Sequence, residues 1–175
     1  MRKNLIMKDS RHFIPIKIAV LTVSDTRKLS TDKSGDLLVE RINSSGHFLA
    51  ARSIVPEERD QIIKILQKWV SNKEIDVILS TGGTGLTGRD VTVEAHKMLY
   101  EKEIEAFGTV FSIVSMKKIG TSAIQSRACA GVSSGTYLFA LPGSPSACRD
   151  AWDEILVYQF DYRHQPCNFV ELLPR

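Results

Sequence analysis

Residues 80–90 read STGGTGLTGRD, the chemistry of a phosphate loop that closes on an acid. Gly82, Gly83, Gly85 and Gly88 fall within seven residues. A plain chain reversal needs only one or two residues at positive φ, and each further glycine costs chain entropy on folding. Such density lets backbone N–H groups close around an anion. Thr81 and Thr84 add hydroxyl donors, and Arg89 adds a guanidinium fork. Asp90 would repel a bare phosphate, but with a magnesium ion between them its carboxylate becomes a ligand. A magnesium–nucleotide complex therefore reconciles the loop with its last residue. Capping of a helix near Thr92 is a second role open to Asp90.

Two familiar phosphate loops do not account for the stretch. Gly83, Gly85 and Gly88 spell G-x-G-x-x-G, but that fingerprint belongs after a first strand, with an acid about twenty residues on. Here the loop follows a third apolar run, and VFSIVSM stands where the acid would be. Gly83 and Gly88 have the spacing of a P-loop, yet Arg89 and Asp90 occupy the positions of its Lys and Ser or Thr. Elsewhere, Ser144 in G-S-P lacks the G-x-S-x-G setting of a hydrolase nucleophile. His12, His47, His96 and His164 are dispersed. No nucleophile–base pair stands out, which suits phosphoryl or nucleotidyl transfer, where positioning and electrostatics do most of the work.

The elements that must position these residues alternate in type. IKIAVLTV (16–23) is long and apolar enough for a strand buried on both faces. A polar loop leads to a helix over 34–45, which Gly46 ends. FLAARSIV (48–55) is a second strand. Pro56 then opens a helix whose charged first turn, with Glu57 and Glu58, suits the positive end of the helix dipole. DVILS (76–80) is a third strand, helices follow near Thr92 and over about 105–117, and SRACAGV with TYLFAL makes a hairpin through SSG. Ser144 is a natural N-cap and Pro145 a natural first helical residue of the next helix. The pattern predicts a three-layer α/β/α domain with a mostly parallel sheet and a small antiparallel hairpin element. Ligands of such sheets sit beyond the carboxyl ends of the strands. Those ends carry Thr22, Ser24 and Asp25, then 81–90, then Gly143 and Ser144, so the polar groups converge on one site.

The 175 residues suffice for one domain with one core, and 43% hydrophobic with 25% charged residues is an ordinary globular composition. We expect an arm over 1–13, a single domain over 14–175, and a tail from about 158 packed on the body or on a neighbouring subunit. A net charge of +3, scattered along the chain, suits an anionic small molecule and falls short of a nucleic-acid surface. No run approaches the roughly 18 apolar residues of a membrane span, and the N-terminus lacks the apolar core of a secretory signal. Three widely spaced cysteines without C-x-x-C point to reduced thiols in the cytoplasm.

Several segments in order carry a resemblance: TVSD (22–25), DKSGD (32–36), TGGTGLTGRDVTVEA (81–95), LPGSPSAC (141–148), and between the last two EAFGTVF and IGTSAIQSRACAGV. Together they resemble the molybdopterin-binding proteins of molybdenum cofactor biosynthesis, over about residues 14–175. The ending DYRHQPCNFVELLPR is similar to the B-protein branch. The resemblance implies a trimer or hexamer, contacts with other proteins of the pathway, and a substrate, molybdopterin, whose terminal phosphate is adenylylated by magnesium-ATP. It assigns Gly82, Gly83, Thr84 and Gly85 to nucleotide phosphates, with Thr81 and Arg89 beside them, and Asp90 to magnesium and catalysis. Ser144 and Gly143 receive a phosphate, while Ser24, Asp25, Ser34 and Gly35 complete the pocket wall. Glu57 stands where the adenylyltransferase branch has an aspartate, a catalytic carboxylate one methylene longer. Val93 stands where the family usually has proline. An accessory protein that binds pterin or nucleotide without turnover is the alternative function.

Overall fold

The computed structural model describes residues 11–173. Most of the expected arm and the last two residues of the tail lie outside that range. Among the described residues, six strands form one sheet: β1 (Lys17–Val23), β2 (Phe48–Val55), β3 (Val77–Thr81), β4 (Lys102–Glu103), β5 (Cys129–Ser133) and β6 (Thr136–Leu141). Their order is β2-β1-β3-β6-β5-β4. β1 pairs in parallel with β2 and β3, and β3 with β6, while β5 runs antiparallel to both β6 and β4. The three-layer, mostly parallel expectation is met, hairpin included.

β1 shows why the layers form. From Ile18 to Val23 every residue is buried, and successive side chains point to opposite faces. Ile18 and Val20 enter one core with α1 (Lys33–Ser44), α4 (Glu105–Ile119) and α5 (Pro145–Ala151). Ala19, Leu21 and Val23 enter the other with α2 (Arg59–Val70) and α3 (Thr92–Lys97). α5 runs on through a π-helical turn (Trp152–Leu156) and a last α turn (Val157–Gln159). Phe160, Val170 and Leu173 of the tail are buried in the first core, so the tail is packed on the body.

Several boundaries differ from expectation, two of them for a visible reason. The second helix starts at Arg59, so Glu57 and Glu58 are not in its first turn. Asp25 draws the Glu57 N–H at 2.9 Å and Glu58 is extended, which holds both residues out of the helix. SRACAGV becomes a strand only from Cys129, because Arg127 turns toward the glycine loop. The hairpin turn is tight: Ser134 and Gly135 both adopt positive φ, as a two-residue primed turn requires. The two-residue β4 had no signature in the sequence.

Candidate functional site

The site is a consequence of strand order. From β1 the chain continues to β2 on one side and, after α2, to β3 on the other, making β1/β3 a switch point where a crevice opens. Thr22 pairs with Thr81, and Thr81 with Leu141, so the three carboxyl ends are level. A cavity of about 460 Å³ opens there. Its lining includes Ser24, Ser34, Glu57, Thr81, Gly82, Gly83, Thr84, Gly85, Asp90, Gly143 and Ser144. Asp25, Gly35 and Arg89 lie outside it.

The glycines are dictated by crowding between strand ends. Gly82 and Gly83 have φ of +97° and +61°. A Cβ on Gly83 would lie 2.5 Å from the Thr92 hydroxyl, and one on Gly143 would lie 3.0 Å from the Gly82 Cα. Gly88 faces open space, so packing does not explain it. Among the described residues, no protein group accepts from the Gly83 or Thr84 N–H, which leaves two donors at the loop's bend. The Thr81 hydroxyl differs from expectation: it is buried and donates to the Pro142 carbonyl at 2.9 Å, so it is no ligand donor in this conformation. Ser34 likewise donates to the Gly143 carbonyl at 2.9 Å, tying α1 to the end of β6. Ser144 caps its helix as predicted, accepting from the Ala147 N–H at 3.2 Å.

The charged groups are arranged in two sets. Asp90 Oδ2 accepts from the Thr87 hydroxyl at 2.6 Å and the Thr87 N–H at 2.9 Å. These bonds, the hydroxyl's foremost, hold its carboxyl below the usual range. It does not cap α3, whose first turn begins after Val91 without a side-chain acceptor. Glu57 titrates the other way: burial raises it, and the charges of Asp25 and Asp90 add to the rise. Asp25 accepts from Arg89 at 2.5 Å, so this pair bridges the loops after β1 and β3 at the rim.

The second set centres on Asp32, the first residue of the DKSGD segment, to which the resemblance gives no role. It is 1% exposed and lines the cavity floor. It accepts from the Thr22 hydroxyl at 2.8 Å, the Gly35 N–H at 2.9 Å and Arg52 at 2.9 Å. Gly35 is therefore not wall but clearance, since a Cβ there would fall 2.1 Å from the Asp32 carboxylate. The N-cap signature of D-K-S-G could have revealed Asp32. Arg27 and Lys33 also line the cavity, the cations an anionic ligand needs. Arg127, far along the chain, holds the loop from behind by the Thr84 and Gly85 carbonyls.

The residues present fit a magnesium–nucleotide complex. Magnesium is usually held by one or two carboxylates together with substrate phosphates. The site offers such acids at Asp90 and Glu57 beside two open N–H donors. No group of three or more His, Cys, Asp or Glu among the described residues is placed to cage a metal unaided.

Fold and cavity define a doubly wound α/β domain with an open crevice at its switch point, over a glycine bend flanked by acids. Residues 19–162 match the family described as "Probable molybdopterin binding domain", a family of molybdenum cofactor biosynthesis, and the chain belongs to it. The molybdenum cofactor biosynthesis protein B of Escherichia coli K12 is 46% identical over 160 residues, covering 91% of this chain and 94% of that one. A probable molybdopterin adenylyltransferase of Methanocaldococcus jannaschii is 43% identical over 143 residues, covering 78% and 85%. A crystal structure of a molybdenum cofactor biosynthesis protein B superposes with a TM-score of 0.86 at 35% identity, covering 93% and 98%. The resemblance carried by the sequence motifs is met. No helix among the described residues is long and apolar enough to cross a membrane.

Proposed function

We propose that the protein binds molybdopterin in this cavity and adenylylates its terminal phosphate with magnesium-ATP, releasing pyrophosphate. The observation that carries the proposal is the pair of unaccepted N–H groups at Gly83 and Thr84, in a bend lined by Asp90 and Glu57. A phosphate monoester is mostly dianionic at neutral pH, with a second pKa near about 6, so its oxygen attacks without a general base. That oxygen forms a bond to the α-phosphorus of ATP as the bond to pyrophosphate breaks. The chain's task is alignment and charge. Gly83 and Thr84 donate to phosphate oxygens, while Arg27 and Lys33 offset the charge of two polyanions. Asp90 and Glu57 hold or orient the metal, which supplies further neutralisation at the phosphates. The name of the Methanocaldococcus jannaschii relative supports this chemistry.

A trimer or hexamer accompanies this reading. α4 turns Val110, Ile113, Met116 and Ile119 outward, and Ile124 follows at 77% exposure, an apolar surface suited to a second copy. The three free cysteines suit a reducing, cytoplasmic setting. A second reading, an accessory protein that binds pterin or nucleotide without turnover, is favoured by one observation: Thr87 ties back Asp90 Oδ2 with two bonds. Incubation with molybdopterin and magnesium-ATP separates them. Pyrophosphate and an adenylylated pterin are expected. Tight pterin binding with no turnover would establish the accessory role instead.

A further inference from the structure

Behind the glycine loop, on the side away from the cavity, stands a guanidinium that this function has not yet used. Arg127 Nε donates to the carbonyls of Thr84 at 2.9 Å and Gly85 at 3.0 Å. Its Nη2 donates to the Asp90 carbonyl at 3.3 Å. Glu94, in the first turn of α3, takes the outer edge of the fork at 2.5 and 3.3 Å. One side chain thus gathers both ends of the loop, while Glu94 fixes its plane. Its neighbours Gln125 and Ser126 line the cavity, but Arg127 does not.

The consequence follows from peptide geometry. In a trans peptide the C=O and the next N–H point to opposite sides of one plane. Drawing the Thr84 carbonyl back toward Arg127 turns the Gly85 N–H forward, where it faces the Asp90 carboxylate. A Cβ on Gly85 would lie 2.8 Å from Asp90 Oδ2, so the acid is seated against that peptide. We propose that Arg127, braced by Glu94, is a positioning residue that holds the Thr84–Gly85 peptide and, through it, the Asp90 carboxylate in place for a magnesium-bound nucleotide. This rests on the nucleotide reading above, and it names residues that never touch the ligand. Lysine cannot replace the fork, because one ammonium is a point donor on a flexible stem.

The test uses the full chain with Arg127→Lys, and Glu94→Gln as a milder second variant. ATP binding is measured by calorimetry in excess magnesium and again in EDTA, alongside amide hydrogen exchange. Arg127→Lys is expected to melt near the wild type and to speed exchange of the hydrogen-bonded Gly85, Thr87 and Asp90 amides by about tenfold or more. The magnesium-dependent gain in ATP affinity should fall by about tenfold, as for the loss of an outer-shell partner, with binding in EDTA little changed. Glu94→Gln should move both readouts in the same direction by less, and it carries the test if Arg127→Lys does not fold. Equal weakening with and without magnesium would mark a merely structural arginine and overturn the proposal, as would wild-type exchange. A wild-type protein that binds no ATP would defeat the nucleotide reading and, with it, the presentation of Asp90 to a nucleotide. Exchange would then still decide whether Arg127 holds the loop.

Discussion

Gly82 and Val23 approach so closely that a Cβ at residue 82 would lie 2.3 Å from the Val23 carbonyl oxygen. That contact joins the ends of β3 and β1 and sets the width of the crevice between them. Gly82 also has φ of +97°, a region that side chains rarely adopt. Gly82→Ala is therefore expected to destabilise the protein by at least about 2 kcal/mol, through strain and displacement of β1 together. Gly88→Ala, with open space around it, should change stability by less than about 0.5 kcal/mol. Urea unfolding of both variants checks the contrast, and equal losses would refute this assignment of the two glycines.

Asp32 and Arg52 predict a comparable loss from a different cause. The carboxylate is 1% exposed and its partner's side chain 19%, so the pair is largely out of water. Asp32→Asn leaves the guanidinium with Asp36 as its remaining charged partner, 2.7 Å away and itself 58% exposed, beside the Asp32 backbone carbonyl at 3.4 Å. Removing one member of a buried pair costs about 3–5 kcal/mol, whereas an exposed partner contributes about 0–1 kcal/mol. Chemical denaturation should therefore rank Asp32→Asn far above Asp36→Asn. The reverse ranking would show that Asp36 is the true counter-ion.

The strands and helices were legible because hydrophobic periodicity records burial locally. β2 was placed at its observed bounds, and Ser144 as an N-cap, from residues that neighbour one another in sequence. Most of the loop and strand-end residues named for the site line one cavity, since a mostly parallel sheet brings its carboxyl ends together. Illegible were the contacts that cross the chain. Arg127 reaches carbonyls more than forty positions earlier, and Asp32 meets Arg52 across the β1–β2 connection. Such bonds leave no periodic trace in either segment. The resemblance puts Gly35 in the pocket wall because sequence shows only that a glycine is present, not which neighbour needs the space.

Two buried histidines predict how stability responds to acid. Burial lowers His96 to about 3 and His47 to about 4, from an ordinary value of 6.5. Between those values and 6.5 the unfolded chain binds more protons than the folded one. Stability is thus fully present above about pH 6.5, falls as pH drops, and stops falling from this cause below about pH 3–4. Each histidine adds a slope of up to about 1.4 kcal/mol per pH unit. His47→Gln should reduce the slope by about half between pH 4 and 6. Urea midpoints across that range provide the measurement, and an unchanged slope would mean that His47 is protonated in the fold.

Asp90 offers the sharpest separation of chemistry from structure. Its Oδ2 receives both Thr87 donors, and an asparagine can turn its amide oxygen to the same place. Asp90→Asn therefore keeps the two Thr87 bonds while removing the charge that would face a metal. The fold should survive with a loss below about 1 kcal/mol, because the carboxylate is near the surface and neutral bonds replace charged ones. Pyrophosphate release should fall by about 100-fold or more, the scale seen when one preorganised electrostatic group is removed. Pterin binding should persist, since Gly143 and Ser144, the other phosphate position of the cavity, are untouched. A variant that turns over normally would remove Asp90 from the mechanism and leave Glu57, with its raised carboxyl, as the acid to test next.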